Sequence, residues 1–232
     1  MNIPIVLDRP DFVVCEKPPG MNAEGDGLPA LLCAQESFPA LYPVHRLDQG
    51  TGGLTVLAKT PAAAAKLSEF FSSGAVKKEY LAVVQAERLE PSGTFTDLLF
   101  HDRRKNKTYV VNRERKGVKQ AACEWELVDT ASVRGVPCRL VRVFLHSGRT
   151  HQIRIQFASR KMPLAGDARY GSTIKAPYPA LWAAGLSFPD PKDPTSVFTF
   201  RSAPPAAEPW NAFPFFTAAG AGDSGALPPQ SV

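Results

Sequence analysis

The sequence contains no long apolar run and no sign of a secretory leader. No stretch reaches the about 18 consecutive apolar residues by which a membrane helix is recognised. The first residues, MNIPIVLDRPDFVV, bring an acidic residue early and lack a basic segment followed by an apolar core. We therefore expect a protein of the cytoplasm that is not attached to a membrane.

Cysteines are few and scattered, and the sequence has no C-x-x-C pair. The four are Cys15, Cys33, Cys123 and Cys138. In a chain of 232 residues this pattern is typical of a reducing compartment, where thiols serve as small apolar fillers. His146 and His151 have no acidic or thiol partner close to them in the sequence, so no metal site is predicted. A dinucleotide-type glycine fingerprint is also missing, and we expect no cofactor.

Short strand-like segments dominate the chain. β-Branched and aliphatic runs bounded by turn residues predict strands at 3–7, 12–17, 54–60, 77–85, 94–100, 107–114, 120–130 and 136–147. Few of these segments are separated by a crossover helix, so most neighbours are expected to pair antiparallel. The predicted fold class is α+β, with a mixed, largely antiparallel β-sheet flanked by helices.

Three segments have helical features. A short helix is predicted over 28–35. The strongest helix is predicted within TPAAAAKLSEFFSSG (60–74), whose threonine can cap it, whose proline fits the first turn and whose final glycine can end it. HQIRIQFASRK (151–161) predicts a third helix, capped by Thr150 or Ser147.

After residue 161 the sequence turns into proline-punctuated stretches, interpreted as loops: KMPLAGDARYG, KAPYPALWAAGLSF and VFTFRSAPP. The last residues, AAGAGDSGALPPQSV, lack the bulk that would anchor them to a core. The sequence therefore predicts one continuous domain over 1–216 and a disordered tail over 217–232.

Positive charge is concentrated in one segment. The net charge of the chain is +5, whereas HDRRKNKTYVVNRERKGVK (101–119) alone holds eight Lys and Arg against two acids. Concentrated cations with Tyr109 among them favour binding of a polyphosphate backbone through counterion release. A solvated hairpin edge, on which lysines discourage aggregation between sheets, explains the same pattern. The segment alone leaves both interpretations open.

The stretch HRLDQGTGG (45–53) sets Asp48 between Arg46 and a glycine-rich turn. Glycines permit tight turns that bring a ligand close to the backbone. An aspartate on such a loop is held by the scaffold and remains accessible to a substrate. An ordinary turn aspartate that caps local N–H groups is the alternative.

Two more stretches contain candidate functional residues. GRTHQIR (148–154) places Arg154 in the first turn of the third predicted helix, where its guanidinium can bind a carboxylate through two parallel hydrogen bonds. An arginine on the helix surface is the alternative. Tyr80 stands at the start of the aliphatic strand KKEYLAVV, a position that tyrosine more often takes for packing.

Taken together, these stretches resemble the RluA-type pseudouridine synthases, a family with HRLD-x-x-T-S-G, K-x-Y and GRTHQIR stretches. They occur here in the family's order, as HRLDQGTGG, KEY (78–80) and GRTHQIR. PLAGDARYG (163–171) is similar to the family's P-L-x-G-D-x-x-Y-G segment, and EKPPGM (16–21) to its K-P-x-G segment. The resemblance covers roughly residues 5–190.

The chain departs from the family pattern at two places. Gly52 stands where the family has serine, which removes a hydroxyl but keeps the turn. LWAAGLSF, around Trp182, stands where relatives often carry L-H-A. We also expect the chain to begin directly at the catalytic domain, without the small amino-terminal RNA-binding module of many relatives. We therefore expect this domain to select the substrate.

The resemblance implies an RNA uridine isomerase in which Asp48 is the catalytic carboxylate, Tyr80 the aromatic partner of the target base and Arg154 the basic partner of Asp48. The carboxylate must be ionised, and a nearby guanidinium favours that form against the effect of burial. Asp48 can act as a nucleophile at the sugar or as a base at the 2′ position, and the sequence leaves both open.

The implied partner is a structured RNA, either ribosomal or transfer RNA or both, from which the target nucleotide is extruded. Arg46 is the residue that the resemblance suggests for insertion into the resulting gap. With RNA as substrate, the basic segment is interpreted as a backbone clamp. The candidate RNA-binding residues are His45, Arg46, Arg103, Arg104, Lys105, Lys107 and Arg149. By analogy with relatives we expect a monomer that requires no protein partner.

Two other functions are compatible with parts of the pattern. One is a non-catalytic RNA-binding module of the same descent, which would not need a buried carboxylate that repels phosphate. The other is a hydrolase or nuclease that uses Asp48 with His45 or His151. It lacks a second carboxylate or a metal cluster at a suitable spacing.

Overall fold

The computed structural model describes residues 2–219, with side chains through residue 216. These residues divide into two compact units, a division that the sequence pattern does not predict. The first unit contains 2–78 and Trp182–Pro204, and the second contains Glu79–Leu181 and 205–219. Of the predicted tail, 217–219 belong to the last helix, and 220–232 lie outside the described residues.

The strands are β1 (Ile5–Asp8), β2 (Phe12–Lys17), β3 (Tyr42–Pro43), β4 (Gly52–Ala58), β5 (Lys77–Gln85), β6 (Ser92–Asp102), β7 (Lys107–Val111), β8 (Val118–Val133), β9 (Val136–Leu145), β10 (Leu181–Pro189) and β11 (Val197–Arg201). The helices are α1 (Leu28–Glu36), α2 (Pro61–Ser73), α3 (Gln152–Ala158) and α4 (Pro214–Ala219). Short 3-10 turns occur at Ala168–Tyr170 and Trp210–Ala212.

In the first unit, β1, β2, β4 and β10 lie side by side in that order, with β3 on β4 and β11 on β10. The pairs are antiparallel except for β4 and β10, which run parallel where Trp182 lies opposite Gly52. This connection fixes the start of β4, which directly follows the Asp48 loop.

Both faces of this sheet are covered, because successive residues of β2 point to opposite sides. Phe12 and Val14 belong to a core cluster that includes Leu67 of α2. Val13 belongs to a second cluster that includes Leu28 of α1. The near-continuous apolar sequence of β2 and β4 is explained by this double burial.

In the second unit, β5, β9, β8, β6 and β7 follow one another in that order, and every neighbouring pair is antiparallel. The helix α3 packs on them through Phe157, whose ring meets Phe95 edge-on at 5.0 Å and Trp125 at 6.1 Å. The predicted class, a mixed and largely antiparallel sheet with flanking helices, is confirmed.

The helix predicted within 60–74 is confirmed in its details. The Thr60 hydroxyl accepts the Ala63 N–H at 3.2 Å, and Gly74 ends the helix at a φ of 81°. The third helix is shorter than predicted, and the predicted caps are wrong. Its N-cap is His151, in the left-handed region at a φ of 56°, and neither Thr150 nor Ser147 takes that place.

The prediction of loops after residue 161 is wrong for β10 and β11. Alanine and glycine at 183–185 have weak strand propensity, but β10 pairs with β4 at its start and with β11 over 185–189. Tertiary pairing therefore decides the conformation here. None of the helices in the described range 2–219 is long and apolar enough to cross a membrane.

Candidate active site

The loop that carries Asp48 is tied down by backbone contacts. Asp48 is half-buried, and its carbonyl accepts the Thr51 N–H at 2.9 Å, which closes the turn. The next residue, Gln49, accepts the Gly20 N–H at 2.8 Å and returns a side-chain N–H to the Gly20 carbonyl at 3.0 Å. The carboxylate therefore lies on a loop fixed to the preceding 18–21 turn.

A buried lysine is hydrogen-bonded to both of these turns. Lys17, at the end of β2, has no exposed surface, and its ammonium donates to the carbonyls of Pro18 at 3.0 Å, Met21 at 2.8 Å and Gln49 at 3.1 Å. Burial lowers the pKa of Lys17 to about 8, while the negative charge of Asp48 acts in the opposite direction. Lys17 stands in the EKPPGM motif of the sequence, but the motif alone does not predict these contacts.

The glycines after Asp48 serve close packing of the chain. A Cβ at Gly52 would lie 2.3 Å from the Trp182 ring, and a Cβ at Gly53, whose φ is 108°, would lie 2.4 Å from the Ala183 carbonyl oxygen. Glycine therefore lets β10 approach the first residues of β4. Close packing of β10 is sufficient to explain both glycines, and the expectation that they bring a ligand close to the backbone stays a prediction.

His45 is engaged inside the first unit. Its Nε2 accepts the Val56 N–H at 3.2 Å and lies 3.1 Å from the Thr55 hydroxyl, and its ring stacks on Phe71 at 4.3 Å. Burial lowers the pKa of His45 to about 3, and the charge of Lys78 acts in the same direction. The ring is therefore neutral at pH 7, and a contact of His45 with RNA stays a prediction.

Arg46 is more than half exposed and forms an ion pair at 3.7 Å with the equally exposed Glu24. Exposed pairs of this kind contribute little to stability, typically about 0–1 kcal/mol. Loss of the Glu24 contact by itself would therefore cost little.

Tyr80 and Arg154 both belong to the second unit and are both buried, with 9% and 7% of their surface exposed. Tyr80 lies on β5 opposite Val143 of β9. Arg154 lies on α3, and its guanidinium donates to both carboxylate oxygens of Asp167, at 2.7 and 2.9 Å. Asp48 belongs to the first unit, and the predicted pairing of Asp48 with Arg154 stays a prediction.

Asp167 was missed as a partner of Arg154, although the PLAGDARYG motif contains it. It is almost fully buried, and the two-pronged pair fixes the orientation of the guanidinium. Removal of Asp167 would leave the buried charge of Arg154 uncompensated. Any function of Arg154 therefore depends on Asp167.

The predicted RNA-binding cations of the β6–β7 turn are exposed on a rigid turn. Arg103, Arg104 and Lys105 are exposed, and Asp102 accepts the N–H groups of Arg104 and Lys105 at 3.0 and 3.1 Å. The guanidinium of Arg169 donates to the carbonyls of Lys105 and Asn106, each at 3.1 Å. The turn thus presents its charges from a fixed backbone.

The last two predicted cations lie nearby in the same unit. Lys107 is half-buried, with its ammonium 5.8 Å from the Tyr109 ring centroid. Arg149 is exposed, and its Nε donates to the Gln120 carbonyl at 3.1 Å. In the described range no group of three or more His, Cys, Asp and Glu side chains is placed to hold a metal ion.

Comparison with known proteins gives a consistent result. The family described as RNA pseudouridylate synthase matches residues 11–159. An uncharacterized RNA pseudouridine synthase of Haemophilus influenzae is 30% identical over 203 residues, which cover 81% of this chain and 83% of that protein. The ribosomal large subunit pseudouridine synthase D of Xanthomonas campestris pv. campestris is 32% identical over 177 residues, which cover 75% of this chain and 50% of that protein.

Among solved structures, human RNA pseudouridylate synthase domain containing 1 aligns with a TM-score of 0.78. It shares 22% sequence identity, and the alignment covers 100% of this chain and 91% of that one. At this identity the likeness supports the fold alone. The family match, in contrast, extends over more than half of the chain, and the prediction of an RNA-modifying enzyme from the motif order is confirmed at that level. The protein belongs to the RNA pseudouridylate synthase family.

Proposed function

We propose that this chain isomerises a specific uridine of a structured RNA to pseudouridine, with Asp48 as the catalytic carboxylate. The observation that carries the proposal is the Asp48 loop, which is fixed on one side by its own turn and on the other by the Lys17 ammonium. A reacting carboxylate held by backbone contacts needs little reorganisation when substrate binds.

The reaction breaks the bond between C1′ of ribose and N1 of uracil, and forms a bond between C1′ and C5. The proton on C5 is lost and N1 gains one, so the mass of the RNA does not change. Asp48 stabilises the sugar after the first step, either by attack at C1′ or by removal of a 2′ proton. Both roles require the carboxylate in its ionised form.

Tyr80 and Arg154 complete the proposed catalytic set. Tyr80 offers a ring on which uracil can stack and a hydroxyl that can assist removal of the C5 proton. The Arg154 guanidinium is oriented by Asp167 at 2.7 and 2.9 Å, and we propose Arg154 as the basic partner of Asp48.

The target nucleotide has to leave its helix before any of these groups can reach it, at a cost of a few kcal/mol. We assign insertion into the vacated stack to Arg46, whose exposed ion pair with Glu24 is easily exchanged. The exposed cations at 103–105, with Lys107 and Arg149, are proposed to hold the RNA backbone.

Ribosomal RNA is the first substrate class to test. The Xanthomonas relative carries the name of a ribosomal large subunit enzyme, and the chain spans about half the length of that protein. Transfer RNA is the second substrate class in the proposal. We further propose that residues 1–216 act together as one catalytic domain, as a cytoplasmic monomer without a protein partner.

The test compares Asp48→Asn with Asp26→Asn, since Asp26 is an exposed aspartate of the same unit. Carbodiimide mapping of pseudouridine in ribosomal and transfer RNA should show loss of conversion by about three orders of magnitude or more for Asp48→Asn, with RNA affinity retained. Asp26→Asn should convert as the wild type does. Conversion that persists in Asp48→Asn would overturn the assignment.

The same assay separates the competing functions. Incubation without divalent metal should yield isomerised RNA of unchanged mass. Cleavage of the strand would instead support a nuclease, and binding without conversion by the wild type would support a binding module.

A further inference from the structure

Tyr170 lies at a junction of hydrogen bonds that the proposed chemistry does not use. Its side chain is 9% exposed. Its hydroxyl oxygen accepts the Thr108 N–H at 2.8 Å and lies 2.9 Å from Nδ1 of His151. Because the hydroxyl accepts from a backbone N–H, its own proton is available to donate to the histidine nitrogen. One side chain thus joins β7 to the residue that begins α3.

Thr108 makes the same connection a second time. It is 1% exposed, and its hydroxyl donates to the Thr150 carbonyl at 2.8 Å. Nδ1 of His101, on β6, lies 3.0 Å from that hydroxyl and can donate to it. The hairpin formed by β6 and β7 is therefore bonded to the start of α3 through two separate hydroxyl groups.

The ring of Tyr170 lies beside one cation of β7 and one cation of α3. The Arg154 guanidinium carbon is 5.1 Å and the Lys107 ammonium 5.5 Å from its centroid, within the range of cation–π attraction. The residues before it extend the pattern, because Asp167 binds Arg154 and Arg169 binds the Lys105 carbonyl. The stretch 167–170 is thus in contact with Arg154 and with the basic turn at once.

We propose that Tyr170 is a positioning residue that sets the basic turn, Arg103–Lys107, at a fixed offset from Arg154. RNA held by that turn would then present its target nucleotide at one distance from the arginine, and binding energy would be converted into productive alignment. This inference rests on the proposed function for its consequence in catalysis, whereas the mechanical link itself does not.

The variant Tyr170→Phe removes the hydroxyl and keeps the ring, so it tests the hydroxyl alone. The matched control is Tyr178→Phe, because Tyr178 is 43% exposed. With saturating ribosomal RNA, the single-turnover rate of Tyr170→Phe should fall about tenfold while the dissociation constant stays within about twofold. Tyr178→Phe should match the wild type. A saturating rate of Tyr170→Phe within twofold of an active wild type overturns the inference.

The second link supplies an independent arm. Thr108→Val should lower the saturating rate as Tyr170→Phe does, and Thr108→Ser, which keeps the hydroxyl, should restore it. If Thr108→Ser is as impaired as Thr108→Val, the effect belongs to packing and the inference fails.

Hydrogen exchange tests the link without RNA. Amides of 103–108 should exchange at least about tenfold faster in Tyr170→Phe, with β5 and β9 unchanged. A parallel rise across β5 and β9 would mean general destabilisation and would reject a positioning role. If the wild type converts no uridine but the exchange is local, the proposed function fails and the mechanical link stands.

Discussion

At the scale of single residues, Lys17 has the clearest energetic signature. Its ammonium is shared by three carbonyls in a site with no exposed surface. Lys17→Met leaves those acceptors without a donor, and we expect the free energy of unfolding to fall by about 3 kcal/mol. Denaturant unfolding at pH 7 measures this loss. Loss of RNA conversion should accompany it, because the Gln49 end of the Asp48 loop is released.

The pH dependence of that difference can be predicted in sign. The pKa of Lys17 is about 8 in the folded protein, below its ordinary value of 10.5, so between these values the unfolded chain binds more protons. The cost of burying the charged ammonium is therefore present in full below pH 8 and is relieved as the pH rises toward 10.5, so the protein gains stability over this range. The gap in unfolding free energy between wild type and Lys17→Met should widen from pH 8 to 10.

Lys17→Arg provides the control, since a guanidinium does not titrate in this range. Its gap from Lys17→Met should stay constant between pH 8 and 10. A wild-type gap that is flat or that narrows with rising pH would contradict the role assigned to burial.

The residues that the sequence proposes as candidates for catalysis are those that stand in a motif. Asp48 and Arg154 each stand in a contiguous stretch that resembles a family motif. The Asp167 partner of Arg154 and the three carbonyls around Lys17 could not be derived, because they are brought together by folding. For His45 the motif suggests RNA binding, which stays a prediction, and folding adds a contact that the motif does not show: its ring accepts a backbone N–H of β4.

At the scale of elements, the pairing of β4 with β10 depends on Gly52. A Cβ there would overlap the Trp182 ring at 2.3 Å, so Gly52→Ala should destabilise the protein by about 3 kcal/mol, at the upper end of ordinary overpacking. Gly74→Ala is the control, because a Cβ at Gly74 meets nothing within 4 Å and only its φ of 81° is unfavourable. It should cost about 1–2 kcal/mol. Thermal and urea unfolding measure both.

The overlap can be separated from other effects by a double-mutant cycle. Gly52→Ala introduced into Trp182→Ala should cost clearly less, since the ring it would meet at 2.3 Å has been removed and only the approach to Pro19 Cδ at 2.9 Å remains. A cost that is unchanged in this background would show that the glycine is needed for another reason.

This pairing also marks the limit of prediction for whole elements. β2, α2 and β5 follow from apolar runs and capping residues close in sequence, and their bounds agree with prediction at 12–17, 61–73 and 77–85. β10 does not, because alanines and a glycine form a strand only when β4 and β11 supply its hydrogen bonds. Its contribution to the fold is a property of the sheet.

At the scale of the whole molecule, the distribution of charge determines how RNA binding should respond to salt. The net charge is +5, but eight of the basic residues lie in 101–119 against two acids, so the rest of the chain is nearly neutral. The exposed cations at 103–105 occupy a backbone that Asp102 and Arg169 hold in place. If they bind phosphates, each contributes about 0.7–0.9 to the slope of log affinity against log salt.

Changing Arg103, Arg104 and Lys105 together to glutamine should therefore lower that slope by about 2–3 and weaken binding at low salt. The control changes Arg88, Lys175 and Lys192, three exposed cations outside the segment, to glutamine, which removes the same charge from the molecule. Filter-binding titrations from about 50 to 200 mM salt compare the two. If both triple variants lose slope equally, RNA senses only net charge. We expect only the variant of Arg103, Arg104 and Lys105 to lose slope. That result would show that the β6–β7 turn binds RNA phosphates at a defined position.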